Sequence, residues 1–290
     1  PKKMNILVTG GNSPLGIFFI KRLLNTFVDC SILALSRTEL GIKDKRLESL
    51  YFDLVNDRFN IDKEFDVVIH AAASVPNSMK NLSELSAVNL EGSTKLFERI
   101  KFSNNSLVLN ISSSSVYDDP TTNILFEYSQ KTSINHYGLS KLNFENALTD
   151  IFVSTTVNLL SLRLAVVLVK DVKYNFMSQW LKSIKSGEPI ELSHPNALFN
   201  ACIYSEDIFQ FFLKYIKQPI TKHLICNLSC KHPIKVIDAA KLMMKTLNSS
   251  VPIIEKKSDK KAQLISFDLA SKNGFIPRSV EDSIRLYISE

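Results

Sequence analysis

The first half of the chain alternates short, β-branched apolar runs with longer stretches whose apolar residues recur at helical spacing. The runs predict strands at 5–8, 31–35, 49–52, 66–70, 106–111 and 156–163. The stretches between them predict helices at 14–27, 83–100 and 135–152. Strands that alternate with helices form a parallel sheet, because each crossover needs a connection long enough for a helix. We therefore predict an α/β protein with a doubly wound parallel sheet of the Rossmann type.

After residue 169 this regular alternation stops. The pattern predicts a helix at 176–186, a helix that begins at Ser205, a strand at 223–228 and a helix at 234–247. We predict a dinucleotide-binding domain from 1–170 and 204–228, and a smaller C-terminal substrate-binding lobe from 171–203 and 229–290.

Composition excludes several classes of protein. With 290 residues, 45% hydrophobic and 22% charged, the chain is typical of a globular protein. No apolar run approaches the ~20 residues that span a bilayer, and the apolar stretch before Thr9 is too short for a signal peptide, so we expect a cytoplasmic protein without a membrane partner. The net charge is 35 − 29 = +6, but the basic residues are scattered, which argues against nucleic acid. Four cysteines without paired zinc spacing predict free thiols and no metal site.

A glycine-rich turn, Thr-Gly-Gly-Asn-Ser-Pro-Leu-Gly at 9–16, directly follows the first predicted strand. Gly10 permits a tight turn, and Gly16 lets the next helix pack closely on the strand. The N-terminus of that helix offers N–H groups to a pyrophosphate. Ser13 stands where such turns carry a middle glycine, and its hydroxyl can bond a phosphate oxygen. The residues expected to hold the dinucleotide here are Gly10, Asn12, Ser13, Pro14, Leu15 and Gly16.

The residues at the end of the second predicted strand indicate whether the dinucleotide is NAD or NADP. An NAD site places a carboxylate there, about 20 residues further on, to accept hydrogen bonds from the ribose. Ser36 occupies this position and Arg37 follows it. Because no acid repels a 2′-phosphate and Arg37 can pair with one, NADP is the predicted cofactor and NAD the alternative.

Tyr137 and Lys141 lie four residues apart in a predicted helix, so their side chains share one face. A phenol is a poor acid–base catalyst near neutrality, and a neighbouring cation favours its phenolate. Four serines, at 112–115, also follow a predicted strand. Ligands of a doubly wound sheet bind at the carboxyl ends of its strands, so these groups are candidates for one catalytic site.

In their order along the chain, these motifs resemble those of the extended short-chain dehydrogenase/reductase family, in the branch of nucleotide-sugar epimerases, dehydratases and reductases. The resemblance covers nearly the whole chain. Besides the glycine turn and Tyr-x3-Lys, it includes Asp53-Leu54, His-Ala-Ala-Ala at 70–73, Val-Asn-Leu-Glu-Gly at 88–92, the segment 112–117, Tyr-Ser-Glu-Asp at 204–207 and Asn227.

The resemblance implies roles for matching residues. Tyr137 would be the acid–base catalyst, Lys141 would hold the nicotinamide ribose and tune Tyr137, and Ser113 would polarise the substrate carbonyl. We also expect the cofactor at Asp53, Leu54, Ala71, Ala72, Ala73 and Asn89. We expect the substrate at Ser74, Ser114, Asn175 and Asn200. By the same resemblance the chain would form a homodimer through the helices at 83–100 and 135–152.

Departures from the family pattern narrow the activity. The dehydratases carry an Asp-Glu pair directly after the catalytic hydroxyl, where this chain has Ser114 and Ser115, so dehydration is not expected. Asn200 stands where many members have an arginine that binds the nucleotide diphosphate. Candidate replacements for that phosphate contact are Arg163, Arg278 and the lysine cluster at 256–261.

The resulting hypothesis is an NADPH-dependent reductase of a nucleotide-linked 4-keto-6-deoxy sugar that serves surface polysaccharide synthesis. The nearest alternative is a nucleotide-sugar C4 epimerase, which uses the same catalytic residues but retains NAD and makes no net redox change. Two further alternatives are a non-catalytic dinucleotide-binding protein and a reductase of a non-sugar carbonyl, the latter favoured by Asn200.

Overall fold

The computed structural model describes residues 3–75, 82–131, 135–218, 223–258 and 261–290. The strands are β1 (Met4–Thr9), β2 (Cys30–Ser36), β3 (Leu47–Tyr51), β4 (Glu64–His70), β5 (Lys101–Ser113), β6 (Ile124–Leu125), β7 (Asn158–Leu164), β8 (Val166–Leu168), β9 (Ile190–Leu192), β10 (Leu198–Phe199), β11 (Cys202–Tyr204), β12 (Leu224–Leu228), β13 (Ile234–Lys235), β14 (Ile253–Glu255) and β15 (Leu264–Ile265). The helices are α1 (Pro14–Thr26), α2 (Leu82–Ser86), α3 (Ser93–Phe97), α4 (His136–Phe152), α5 (Phe176–Ser186), α6 (Ser205–Lys217), α7 (Val236–Thr246), α8 (Asp268–Lys272) and α9 (Val280–Ser289). A π-helical segment (Ala87–Gly92) joins α2 to α3, and a 3-10 turn spans Ser114–Val116.

Seven strands form the central sheet, in the order β12-β7-β5-β4-β1-β2-β3. β1 pairs in parallel with β2 on one side and β4 on the other, so that Ile6 lies opposite both Ile32 and Val67. The pairs β2–β3 and β4–β5 are parallel as well. The strand order reverses at β1, which is where a doubly wound sheet forms its ligand crevice. The predicted fold class is confirmed.

β1, β2 and β4 are largely buried apolar runs, as expected where helices cover a parallel sheet. One core cluster joins Leu7, Val68 and Val108 of the sheet to Phe97 of α3 and Phe144 of α4. This packing fixes α4 against the sheet, and with it the candidate catalytic residues of that helix.

The chain folds into two compact units. The first contains Pro1–Asp118, Lys131–Arg163 and Phe212–Ile225, and with them most of the central sheet. The second contains Asp119–Gln130, Leu164–Phe211 and Cys226–Glu290, in which short strands pair as β14–β9, β15–β6, β11–β8 and β10–β13. The predicted division into a cofactor domain and a substrate lobe stays a prediction. No helix in the described part of the chain is long and apolar enough to cross a membrane.

Two predicted helices differ from the structure. The helix expected at 83–100 is interrupted by the π-helical segment and ends at Phe97. The helix expected at 234–247 begins only at Val236, because Ile234 and Lys235 pair with β10 as an antiparallel strand. Apolar periodicity cannot detect such a pairing, since it depends on a segment more than thirty residues away.

Candidate functional site

The glycine-rich turn connects β1 to α1 and is shaped by close backbone contacts. Gly10 has φ +67°, and a Cβ there would lie 2.7 Å from the backbone of Ala72. A Cβ on Gly16 would overlap the carbonyl oxygen of Gly10. Ser13 caps α1, because its Oγ accepts a hydrogen bond from the N–H of Gly16 at 3.0 Å. As an acceptor in that bond, the hydroxyl keeps its proton for a second partner.

A cavity of about 250 Å³ opens beside this turn. It is lined by Thr9, Gly10, Asn12, Ser13, Leu35, Ser36, Arg37, Phe52, Asp53, Leu54, Ala71, Ala72, Ala73 and Val88. Most residues expected to hold the dinucleotide therefore lie together, although they come from segments that follow four different strands. The lining combines a helix N-terminus, amide and hydroxyl groups and apolar walls, which fits a dinucleotide with its pyrophosphate at the turn.

One end of the cavity carries the residues that follow β2 and β3. The buried Ser36 hydroxyl donates to the carbonyl of Thr38 at 2.7 Å, so its proton is used within its own loop. Arg37 is exposed beside it. The carboxylate of Asp53 accepts the backbone N–H groups of Val55 and Asn56. At this end of the cavity the acidic residue, Asp53, therefore follows β3, whereas the residue that follows β2, Arg37, is basic.

His70, at the end of β4, begins the His-Ala-Ala-Ala motif, and the structure gives it a structural role that the sequence did not predict. Its Nδ1 lies 2.8 Å from Thr9 Oγ1, which also accepts the N–H of Ala72 at 3.2 Å. The ring is fully buried against Phe97 and Phe144, and this burial, with a smaller contribution from Lys141, lowers its pKa to about 3. A neutral His70 thus joins the ends of β1 and β4 beneath the cavity.

The three predicted catalytic residues come from two elements that pack against each other. Ser113 ends β5, and its Oγ accepts the N–H of Ser115 at 3.1 Å at the start of the 3-10 turn. That turn packs on α4, whose first two turns carry Tyr137 and Lys141. Lys141 is only 3% exposed, and desolvation lowers its pKa to about 8, although the carboxylate of Glu145 acts in the opposite direction.

Asn89 supports the cavity from the π-helical segment. Its Oδ1 accepts the N–H of Ser74 at 2.7 Å, and its Nδ2 donates to the carbonyl of Ser74 and to Ser140 Oγ. The side chain is buried and joins the segment after β4 to α4. A direct cofactor contact by Asn89 stays a prediction, as do the substrate contacts of Ser74 and of Ser114, which begins the 3-10 turn.

The polar groups of Asn175 and Asn200 are used within the second unit. Asn175 caps α5 through the N–H of Ser178 and donates to the carbonyl of Val167. Asn200 is 3% exposed; its Nδ2 donates to the carbonyl of Ile265 at 2.9 Å, and its Oδ1 accepts the N–H of the same residue. These contacts give both asparagines a structural role, and the substrate contacts expected of them stay predictions.

Four of the cations proposed as replacement phosphate ligands have partners within the protein. The guanidinium of Arg163 is buried and pairs with Glu145 at 2.7 Å, which corrects the expectation that it meets a phosphate. Arg278 pairs with Asp207 at 2.9 Å. Lys256 contacts Glu191 and Lys261 donates to the carbonyl of Pro120, while residues 259 and 260 of the cluster lie outside the described residues. Within the described ranges, no group of three or more His, Cys, Asp or Glu side chains could hold a metal.

A family profile, that of the NAD dependent epimerase/dehydratase family, matches residues 6–227. The chain belongs to this family. Its resemblance to extended short-chain dehydrogenase/reductases is thereby confirmed, and it is an NAD(P)-dependent enzyme of the oxidoreductase/epimerase type. The match includes the glycine turn, Ser113, Tyr137 and Lys141. No curated protein matches the sequence.

Solved structures of nucleotide-sugar epimerases share the fold of this family member. UDP-glucuronic acid 4-epimerase from Bacillus cereus, solved with NAD, is 19% identical over 99% of both chains, with a TM-score of 0.81. ADP-L-glycero-D-manno-heptose-6-epimerase from Helicobacter pylori is 19% identical over 99% of this chain and 96% of its own, with a TM-score of 0.82. UDP-N-acetylglucosamine 4-epimerase from Methanobrevibacter ruminantium, in complex with UDP-N-acetylmuramic acid, is 20% identical over 100% and 98%, with a TM-score of 0.80. At such identities the likeness shows the fold.

Proposed function

We propose that this protein is a nucleotide-sugar C4 epimerase that retains NAD through its catalytic cycle. The observation that carries the proposal is the set of Ser113, Tyr137 and Lys141 on two packed elements, within the span that the family profile matches. The solved relatives add support, since they include two 4-epimerases and one of these was solved with NAD. The proposal therefore favours the alternative function over the reductase that the sequence predicts.

The chain's own residues supply the proton chemistry of such a reaction. The phenolate of Tyr137 would take the proton of the sugar's C4 hydroxyl, and the resulting phenol would later return that proton to the C4 oxygen when the opposite face of C4 is reduced. The hydroxyl of Ser113 would donate a hydrogen bond to the same oxygen. When bound, the dinucleotide supplies a reversible hydride exchange with C4. Because Lys141 would face the ribose and the phenol together, its ammonium would favour the phenolate form of Tyr137.

The second candidate is the NADPH-dependent reductase of a nucleotide-linked 4-keto-6-deoxy sugar, in surface polysaccharide synthesis. A specific observation favours it, since Arg37 stands exposed after β2 where an NAD site has an acid. The relative that was solved with NAD argues against this candidate. The two functions therefore make opposite predictions about the cofactor that accompanies the protein.

The deciding experiment is to denature the purified protein and identify the released dinucleotide. About one NAD per chain, together with interconversion of UDP-glucose and UDP-galactose, of the glucuronic and galacturonic acid pair or of the N-acetylhexosamine pair, would support the epimerase. An empty protein that prefers NADPH to NADH tenfold, about 1.4 kcal/mol, would support the reductase. Tyr137→Phe should reduce turnover at least a thousandfold and leave dinucleotide affinity within twofold. Retained turnover would refute Tyr137 as the acid–base group.

Two properties of the molecule complete the proposal. Cys30, Cys202, Cys226 and Cys230 are buried thiols that form no disulfide, which fits a reducing compartment such as the cytoplasm. The homodimer implied by the family resemblance would place α4 at the subunit interface. Light scattering that gives one chain per particle would exclude that dimer.

A further inference from the structure

A buried ion pair joins α4 to the central sheet. Glu145 lies on α4, four residues after Lys141, and Arg163 lies on β7. The guanidinium of Arg163 donates two hydrogen bonds to the carboxylate of Glu145, from Nε to Oε1 at 3.0 Å and from Nη2 to Oε2 at 2.7 Å. Both residues are at least 96% buried. A two-point contact between these planar groups fixes the direction as well as the distance of the pair.

The same guanidinium holds the other catalytic segment. Arg163 Nη1 donates to the hydroxyl of Tyr117 at 3.0 Å, and the guanidinium carbon lies 5.2 Å from the centre of the tyrosine ring. Tyr117 directly follows the 3-10 turn, and its N–H donates to the carbonyl of Ser114. Arg163 therefore contacts Tyr117, four residues after Ser113, and Glu145, four residues after Lys141.

We propose that Tyr117, Arg163 and Glu145 form a positioning bridge that sets the turn of Ser113 against the helix of Tyr137 and Lys141. Buried ion pairs are often neutral for stability relative to apolar replacements, so a role in specifying geometry accounts better for this one. The bridge residues would not touch substrate; they would act through the catalytic groups. The carboxylate of Glu145 also counteracts the desolvation of Lys141, and the Lys141 ammonium in turn acts on His70 of β4. The inference deepens the proposed function and rests on it for the catalytic roles.

The sharpest variant is Tyr117→Phe, which keeps the ring and removes only the hydroxyl that Arg163 contacts. We expect kcat to fall about tenfold, because the reacting groups are misaligned. The KM of the UDP-sugar should stay within twofold, because the contacts that bind the substrate are unchanged. The affinity for NAD, measured by calorimetry on emptied protein, should fall threefold or more because Lys141 is expected at the ribose. The control Tyr215→Phe, at another buried tyrosine, should change neither kcat nor the affinity for NAD.

A second variant separates positioning from folding. Glu145→Gln leaves a buried guanidinium without its anion and can fail to fold, whereas Arg163→Lys keeps the charge. A single ammonium cannot span Glu145 and Tyr117 as the fork does, so Arg163→Lys should fold and lose as much kcat as Tyr117→Phe. If Tyr117→Phe keeps wild-type kcat and NAD affinity, the bridge has no positioning role. If the wild-type protein converts no UDP-sugar, the proposed function fails and only the NAD affinities test the bridge. A lower NAD affinity of Tyr117→Phe would then support the bridge, and an affinity equal to that of wild type would overturn it.

Discussion

Replacing Lys141 by Met should make the dinucleotide-free protein more stable while abolishing catalysis. The ammonium is 3% exposed in the folded protein, where burial lowers its pKa from 10.5 to about 8. The unfolded chain keeps the ordinary pKa, so folding with a charged Lys141 costs about 3 kcal/mol at 1.36 kcal/mol per pH unit. Met has a similar volume and no charge to desolvate, and it therefore avoids this cost.

The pH dependence of the stability difference gives this prediction its sign. Between about pH 8 and 10.5 the unfolded wild-type chain binds more protons at this lysine than the folded protein does, so wild-type stability rises with pH across that window. The Met variant lacks this contribution. Its advantage should therefore be about 3 kcal/mol at pH 7 and about 1 kcal/mol at pH 10. Titrating groups that do not interact with Lys141 are common to both proteins and cancel in the difference.

Urea unfolding of both proteins at the two pH values measures the difference directly. Lys95→Met, at an exposed lysine of α3, should stay within about 0.5 kcal/mol of wild type at both. A Lys141→Met protein that is less stable than wild type at pH 7 would refute the reasoning. So would an advantage that does not shrink by pH 10, because the cost would then not come from the charge.

Three further substitutions test individual contacts. Gly16→Ala should lower stability by about 2 kcal/mol or more and abolish dinucleotide binding in calorimetry, because its Cβ would overlap the carbonyl oxygen of Gly10. Asn200→Ala should cost about 1–3 kcal/mol in urea unfolding, since it leaves the backbone N–H of Ile265 without its acceptor and removes one of the two donors to the Ile265 carbonyl; a changed substrate KM in the folded variant would support a substrate role. Arg37→Ala should lower the affinity for NADPH about tenfold if Arg37 pairs with a 2′-phosphate, and it should leave the affinity for NADH unchanged. The control is Arg58→Ala, at another exposed arginine. An unchanged affinity for NADPH would show that Arg37 does not contact the 2′-phosphate.

The sequence by itself was sufficient to predict the sheet and most of the lining of the cavity at the glycine turn. β1, the glycine turn and α1 are consecutive, so their geometry follows from local propensities, from Gly10 at positive φ and from Ser13 as the helix cap. The segments after β2, β3 and β4 meet there because parallel strands end at one edge of a sheet. Tyr137 and Lys141 share a face by helical periodicity alone.

Only the tertiary structure decided how the polar side chains are used. Arg163, Asn175 and Asn200 were candidate ligand contacts in the sequence, but each finds its partners within the fold. The partner of Asn200 lies 65 residues away and that of Thr9 lies 61 away, at His70. Whether a side chain has a hydrogen-bonding group left for a ligand depends on such distant neighbours, and the local sequence pattern does not predict them. For the same physical reason the bridge of Tyr117, Arg163 and Glu145 emerged only once three separate segments had packed together.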